Sequence, residues 1–426
     1  MMRIEPGPVS GKAVAPASKS VTHRAYLLAS QAERPTTVMA PLRSRDTDAT
    51  LAGLHRLGAR MTMADDTVRF EPAPLTAPVE AVDCRNSGTT LRFLAAAAAR
   101  LAAPVRFIGD ASLSRRTSEP LWAALRRLGV HVESRDGCAP VLVRGPLRPG
   151  TVTLPAHSSS QFASGLALSL ACLDGPSTLR LEAPIDSAPY LDLTLAMAQQ
   201  SGLVLRRSSN AEGQEWAIAP SRPRGGRLAV EGDWSSAAFL FAAAAVTGGS
   251  VAVAGLDAAS LQPDRAILAH LRAFGCEVGA DSVRSAALDS PGTIDLRSSP
   301  DLLPVLAVVA AFARGTTLLV CGPQLRNKES DRIAAMTNGL RAMGIQAREE
   351  RDTLVVEGGK PHGAALASHG DHRIHMALCV AALAANGTST LDGDATAAVS
   401  YPGFHDALAA LGARIFKDGK PLEATA

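Results

Sequence analysis

Two kinds of apolar segment alternate along this chain. The first is amphipathic and ends in glycine: TLAGLHRLGARM, PLWAALRRLGVHV, LTLAMAQQSGLVL, ILAHLRAFGCEV, MTNGLRAMGIQA and FHDALAALGARI. Their glycines, Gly58, Gly129, Gly202, Gly275, Gly344 and Gly412, lie 71, 73, 73, 69 and 68 residues apart. Glycine at the end of a helical pattern is a C-terminal cap, and the short apolar alternation after each one predicts a strand. The second kind is apolar nearly all round behind a polar start: SKSVTHRAYLLAS, NSGTTLRFLAAAAA, SSSQFASGLALSLA, DWSSAAFLFAAAAV, SSPDLLPVLAVVAAF and GDHRIHMALCVAAL. The lead residues Ser18, Ser87, Ser159, Ser235, Ser299 and Asp371 recur at steps of 69, 72, 76, 64 and 72.

The chain therefore reads as six copies of a unit of about 70 residues, each with two helices and several short strands. A helix apolar on every side must be buried, while one amphipathic helix per unit can cover the outside. Six units exceed one ordinary core, so three per domain is the economical arrangement, with PSRPRGGRLAVEG, Pro220 to Gly232, as the linker. Two similar α/β domains facing across a cleft are expected. If the buried helices of a domain point the same way, their N-termini converge, each with unpaired N–H groups and a positive dipole end. Singly, the polar leads are ordinary N-caps; six of them with Lys or Arg nearby suggest a place built to hold phosphates or carboxylates.

Composition narrows this picture. The 426 residues are 46% hydrophobic, enough for a sizeable core, and the formal net charge of +3 gives no field for nucleic-acid binding. Any anion must then be held by local chemistry. Cys84, Cys138, Cys172, Cys276, Cys321 and Cys379 have no metal-like spacing and read as buried free thiols of a reducing, cytoplasmic compartment. MMRIEPG lacks the apolar run of a secretory signal, and Thr, Gly-Gly and Ser interrupt the uncharged run from Trp234 to Leu256, so no targeting segment or membrane span is expected.

The helix starts carry the chemistry. In SKSVTHR, Ser20 and Arg24 share a helical face, with Lys19 at its mouth; a charge at the start of a buried helix needs a partner, which favours a ligand. NSGTTLR offers Gly88, where a ligand could approach the backbone, and Arg92 one turn further in. GDASLSRRTSEP places Arg115 and Arg116 before an amphipathic helix, and HSSSQF offers three hydroxyls and an amide. RNKESDRI has Lys328 and Arg332 at i, i+4 and Glu329 and Arg332 at i, i+3, a density that also suits an exposed helical face. Asp371, His372 and Arg373 lead one apolar helix and Asp301 another; a carboxylate at a helix's positive end tends to stay ionised and can serve as a base or orienting acceptor. Nucleophile elbow, P-loop and HExxH are all missing, so serine, ATP-hydrolytic and zinc chemistry lose support.

PASKSVTHR, NSGTTLR, GDASLSRR, SSQF, PYLDLTL, VEGDWSSAA, SSPDLLPVLA, RNKESDRI, GDHRIHM and SYPGF, in this order from near residue 16 to near residue 404, resemble the 5-enolpyruvylshikimate-3-phosphate synthase family. The resemblance implies an inverse α/β barrel of two domains, each of three βαβαββ units. It places an N-terminal domain at 19–227 for shikimate 3-phosphate, and a C-terminal domain at 1–18 plus 228–426 for phosphoenolpyruvate and the catalytic carboxylates. It implies transfer of the enolpyruvyl group of phosphoenolpyruvate to the 5-hydroxyl of shikimate 3-phosphate, releasing phosphate through a tetrahedral intermediate. No metal or organic cofactor is implied, and a cytoplasmic monomer without nucleic-acid or membrane partners is expected. By position, Lys19, Ser20, Arg24, Ser159, Ser160, Gln161, Ser187, Tyr190, Asp301, Gln324 and Lys328 would hold the phosphorylated shikimate. Phosphoenolpyruvate would lie against Lys19, Gly88, Arg116, Gln161, Arg332 and Arg373. Asp301 would orient or deprotonate the attacking hydroxyl, Glu329 would protonate the methylene carbon, and Lys19 and His372 would assist, with Arg92 a supporting charge.

The chain departs from many relatives at Val399, where they carry lysine, at Gln324 for Asn, and at Thr117 and Phe93, each in place of proline. These departures bear on phosphoenolpyruvate and inhibitor affinity, and they leave open a paralogue acting on another hydroxylated acceptor. The sibling enzymes acting on UDP-N-acetylglucosamine carry a cysteine in the loop that here reads GDASLSRR.

Overall fold

The polar and apolar periods become twelve α-helices in a computed structural model that describes residues 1–422; residues 423–426, the end of the expected C-terminal domain, lie outside the described residues. In chain order the helices are α1 (Lys19–Ser30), α2 (Arg45–Arg56), α3 (Gly88–Ala98), α4 (Glu119–Arg127), α5 (Ser160–Leu170) and α6 (Ala188–Gln200). They continue with α7 (Trp234–Thr247), α8 (Ile267–Ala273), α9 (Leu303–Phe312), α10 (Arg332–Ala342), α11 (His372–Ala384) and α12 (Phe404–Ala410). The chain divides into two compact units, Ala17–Glu231 (the N-terminal unit) and Met1–Pro16 with the chain from Gly232 onward (the C-terminal unit).

Odd-numbered helices are the all-apolar ones. In α3 every residue from Thr90 to Ala98 is buried, and in α7 every residue from Trp234 to Ala245. Even-numbered helices bury one face; α4 sinks Leu121, Trp122, Ala124 and Leu125 and leaves Arg126 and Arg127 in water. The six repeat glycines all take φ between +82° and +102° just past an even-numbered helix, the left-handed cap that favours a residue without Cβ.

Each repeat builds one sheet. In the N-terminal unit, Val82–Asp83 runs parallel to Val105–Ile108, which pairs antiparallel with Cys138–Arg144 and through it with His131–Arg135. The other two sheets of the unit follow the same order. The segment expected as a linker is partly structural: Gly226–Ala229 pairs parallel with Thr36–Met39 and completes the first sheet of the unit. Likewise Met2–Glu5 lies between Ser389–Leu391 and Arg414–Lys417 in the last sheet of the C-terminal unit.

Alanine content follows from how closely the inner helices pack. A Cβ built on Gly165 of α5 would stand 3.1 Å from the Arg92 carbonyl oxygen and 3.4 Å from the Ala96 Cβ of α3, so neither helix has room for larger side chains there. α7, α9 and α11 pack on one another in the same way in the C-terminal unit. No helix among the described residues is long and apolar enough to cross a membrane; the uncharged run from Trp234 is α7 followed by the strand Ser250–Ala254.

Three local expectations are corrected. Ser235 lies inside α7 instead of capping it, because Asp233 takes the cap and accepts the Ser236 N–H at 2.7 Å. Ser299 makes no side-chain cap and precedes a short 3-10 turn, Pro300–Leu302, whose proline and tight geometry start α9 later. All six cysteines are free thiols, yet Cys138 is only half-buried, being on a strand whose alternate residues face water.

Candidate active site

In the N-terminal unit the helix starts gather buried cations. Ser18 caps α1, accepting the Val21 N–H at 3.4 Å, and Lys19 beside it pairs with Asp46 of α2 at 3.0 Å. Arg24, one turn on, is 3% exposed. It donates to the hydroxyls of Thr194 (2.8 Å) and Ser164 (3.4 Å) and to the carbonyls of Ser20 (2.9 Å) and Tyr190 (3.3 Å), all neutral groups. Burial pulls its pKa down to about 10, against the pull of Tyr190. Its guanidinium stands 5.5 Å from the ring centre of Phe93, so the residue that replaces a common proline supports a cation here. A buried charge served only by dipoles is suited to an incoming anion.

α3 begins at Ser87, whose hydroxyl accepts the Thr90 N–H at 3.1 Å. A Cβ on Gly88 would stand 3.0 Å from Nη1 of Arg92 and 3.4 Å from Nη1 of Arg116, so glycine leaves the helix end open to both guanidiniums. Arg92 donates to Gln161 Oε1 at 2.6 Å and to Ser118 Oγ at 3.2 Å, over the Phe162 ring at 5.1 Å. Arg116, 5% exposed, donates to the side chain of Asn86 at 3.1 Å and to the Asn86 carbonyl. Arg115 stays exposed. Ser159 caps α5 through the Gln161 N–H at 3.3 Å, Ser160 is its first residue, and the neighbouring Ser158 hydroxyl is buried without a partner among the described residues. Ser187 holds φ +57° immediately before α6, a left-handed turn that starts the helix carrying Tyr190.

The C-terminal unit gathers carboxylates around two arginines. Arg332, first residue of α10 and 1% exposed, donates to Asp371 (Nε 2.8 Å, Nη2 3.3 Å), Asp301 (2.8 Å) and Glu329 (2.8 Å). Asp371 caps α11 through the Arg373 N–H at 2.9 Å and also accepts from Ser330 at 3.1 Å. Arg373 reaches Asp301 at 3.0 Å, and Lys328 stands 3.7 Å from it. Burial pushes the Asp301 carboxyl up, but Arg373, Lys328 and Arg332 together hold it well below the usual carboxylate range. Burial also lowers Lys328, against the attraction of Asp301. Asp264, fully buried, is pushed up to about 7 by burial and by Asp301, against Arg373 and the Ser235 hydroxyl. His372 is the first residue of α11, 1% exposed, with Nδ1 3.8 Å from Asp371. Gln324 lies in the 3-10 turn Pro323–Asn327 that leads to Lys328.

In the N-terminal unit the contacts join Ser20, Arg24 and Tyr190 in one group and Gly88, Arg116 and Gln161 around Arg92 in another, with Lys19 on Asp46; in the other unit they gather Asp301, Lys328, Glu329, Arg332 and Arg373, with His372 beside Asp371. The exposed-face reading of RNKESDRI is overturned, because Asp331 caps α10 and only Arg332 onward is helical; Lys328 and Glu329 fold over the buried Arg332 from a loop. Asp46 and Asp264 were missed. Asp46 looked like one more acid in the first turn of an amphipathic helix, and Asp264 lies in the short 3-10 turn Pro263–Ala266, which has no periodic signal. Among the described residues, no group of three or more His, Cys, Asp and Glu is placed to hold a metal.

The fold and these clusters define a two-unit α/β protein of repeated βαβαββ architecture with buried cations and carboxylates at converging helix starts. Its residues 4–408 match the model of EPSP synthase (3-phosphoshikimate 1-carboxyvinyltransferase), and the chain belongs to that family. It is 41% identical over 417 residues to the 3-phosphoshikimate 1-carboxyvinyltransferase of Methanocorpusculum labreanum, covering 95% of this chain and 97% of the relative. It is 39% identical to that of Aeropyrum pernix, covering 97% and 96%. Among solved structures, EPSP synthase from Acinetobacter baumannii superposes with a TM-score of 0.78 at 28% identity over 98% of this chain and 99% of that one. The enolpyruvyl transferase NikO from Streptomyces tendae, at 20% identity and a TM-score of 0.74 over 97% and 98%, shares the fold. The fold is the two-domain inverse α/β barrel, with the odd-numbered helices buried at the centre of each unit's core.

Proposed function

We propose that this chain transfers the enolpyruvyl group of phosphoenolpyruvate to the 5-hydroxyl of shikimate 3-phosphate and releases phosphate, a step of aromatic amino acid biosynthesis. The observation that carries the reading at residue level is Asp301: a carboxylate kept ionised by Arg373, Arg332 and Lys328 is an acceptor for a hydroxyl proton beside cations for a phosphorylated acid. The acceptor oxygen bonds to C2 of phosphoenolpyruvate while C3 gains a proton, giving a tetrahedral intermediate. C3 then loses a proton as the C2–O bond to phosphate breaks.

In this reading Asp301 takes or orients the hydroxyl proton, and Glu329 serves C3. The substrate carboxylate at Arg332 competes with Glu329 for the guanidinium and frees Glu329 for proton transfer. Lys19 and His372 assist the developing charge. The phosphorylated shikimate is held by Lys19, Ser20, Arg24, Ser159, Ser160, Gln161, Ser187, Tyr190, Asp301, Gln324 and Lys328, with the neutral partners of Arg24 favouring a phosphate there. Phosphoenolpyruvate is held by Lys19, Gly88, Arg116, Gln161, Arg332 and Arg373. The N-terminal unit, expected at 19–227, serves mainly shikimate 3-phosphate, and the remainder serves phosphoenolpyruvate and the carboxylate chemistry. Six free thiols suit a reducing cytoplasm, and the enzyme is proposed to act there as a monomer.

Purified protein given shikimate 3-phosphate and phosphoenolpyruvate is expected to release inorganic phosphate. No release with these two substrates, together with release when another hydroxylated acceptor replaces shikimate 3-phosphate, would overturn the assignment.

A further inference from the structure

A chain of buried side chains that the reaction does not use runs from the core of the N-terminal unit to the start of α3. Nδ1 of His23, on α1, is 2.7 Å from Thr50 Oγ1 on α2, and that oxygen is 2.6 Å from Thr90 Oγ1 on α3. Thr90 Oγ1 is in turn 2.7 Å from the Ser87 hydroxyl and 3.3 Å from the Asp46 carbonyl oxygen. None of His23, Thr50, Thr90 and Ser87 is more than 1% exposed. Nε2 of His23 has no partner among the described residues.

Such a chain has two directions, and the histidine tautomer selects one. With the proton on Nδ1, His23 donates to Thr50, Thr50 to Thr90, and Thr90 to Ser87; the Ser87 oxygen already accepts the Thr90 N–H, so its own proton is left to donate outside the chain. With the proton on Nε2, each hydroxyl turns inward and the Ser87 proton is consumed by Thr90. One feature favours the outward direction. An Nε2–H would be an orphaned buried donor, a rarer and costlier state than a bare nitrogen. Burial, then Lys19 and Arg24, keep the ring neutral, so the choice of tautomer is a real one.

Resting on the assignment of phosphoenolpyruvate to Gly88 and Arg116, we propose that His23 is a positioning residue of that subsite. Its Nδ1–H orients the Thr50–Thr90–Ser87 chain outward, so that the Ser87 hydroxyl donates to the anion at the start of α3.

The test pairs kinetics with spectroscopy. His23→Leu and Thr50→Val are expected to raise the KM for phosphoenolpyruvate roughly five- to tenfold, the size of one lost hydrogen bond, with the KM for shikimate 3-phosphate nearly unchanged. His23→Asn, whose amide N–H can stand where Nδ1–H does, is expected to restore most of the loss. An unchanged phosphoenolpyruvate KM in folded His23→Leu, or equal losses in the Leu and Asn variants, would overturn the proposal. Nuclear magnetic resonance of ring nitrogens in the unsubstituted protein is expected to show His23 protonated at Nδ1; protonation at Nε2 overturns it even where a variant fails to fold. Absence of phosphate release by the unsubstituted protein would instead bring down the functional reading, and the tautomer still decides the direction of the chain.

Discussion

Replacing Arg332 by methionine tests the electrostatics of the C-terminal cluster most directly. The guanidinium is 1% exposed and bonded to Asp371, Asp301 and Glu329, each at 2.8 Å at its shortest contact, while methionine keeps much of the volume and none of the charge. Removing one partner of a buried ion pair costs about 3–5 kcal/mol, because the other charge is left uncompensated. Arg373 and Lys328 still face Asp301, so the lower end of that range is expected for Asp301, with Asp371, 0% exposed, the larger contributor. For a unit of this size each kcal/mol moves the melting temperature by roughly 2–4 °C, so a drop on the order of 10 °C is expected by calorimetry.

The pH dependence has a definite sign. In the parent protein the folded pKa of Asp301 is depressed, so its contribution is complete above the unfolded carboxylate value and is lost as pH falls toward the lower folded value. Without Arg332 one of the three cations that depress Asp301 is lost, so its folded pKa moves up toward the unfolded value and acid removes less stability from the variant than from the parent. The gap in melting temperature between parent and variant should therefore hold steady at neutral pH and narrow as pH falls below about 4. A drop below about 2 °C, or a gap that widens in acid, would refute the view that Arg332 neutralises these carboxylates.

Three further outcomes follow from the geometry. Lys19→Met and Glu329→Ala should each lower kcat by roughly a hundredfold or more in protein that still folds; unchanged turnover would remove the residue from its role. Gly88→Ala brings a Cβ to 3.0 Å from Arg92 Nη1, so the KM for phosphoenolpyruvate should rise with kcat less affected, and equal affinity would show that the guanidiniums move aside at no cost. Ala96→Leu on α3 should destabilise the N-terminal unit by about 1–3 kcal/mol in a denaturant titration, since Gly165 of α5 leaves no room for the added carbons.

RNKESDRI shows where sequence legibility ends. Its two arginines have similar neighbours, yet the side chain of Arg326 is 31% exposed among Asp331, Glu349 and Asp352, while that of Arg332 is 2% exposed. Helical periodicity placed Lys328 and Arg332 on one face, but the Asp331 cap begins the helix after Lys328. Asp46 and Asp264 escaped notice because a carboxylate in the first turn of a helix or of a short 3-10 turn is ordinary until its partner is known.

The sequence by itself determined the six repeats, the alternation of buried and surface helices, the glycine caps, most helix starts and the family. These are local properties: a helical period decides burial, a left-handed cap favours glycine, and an orphaned N–H attracts a hydroxyl or carboxylate. Only the tertiary structure decided which charges meet. Asp301 and Arg332 lie on successive helix starts of one repeat and Asp371 on the next, and Lys19 finds Asp46 and Arg24 finds Thr194 across intervening chain. Pairing of buried charges is set by distance within a dehydrated core, where a single nearby partner outweighs everything the flanking sequence can say.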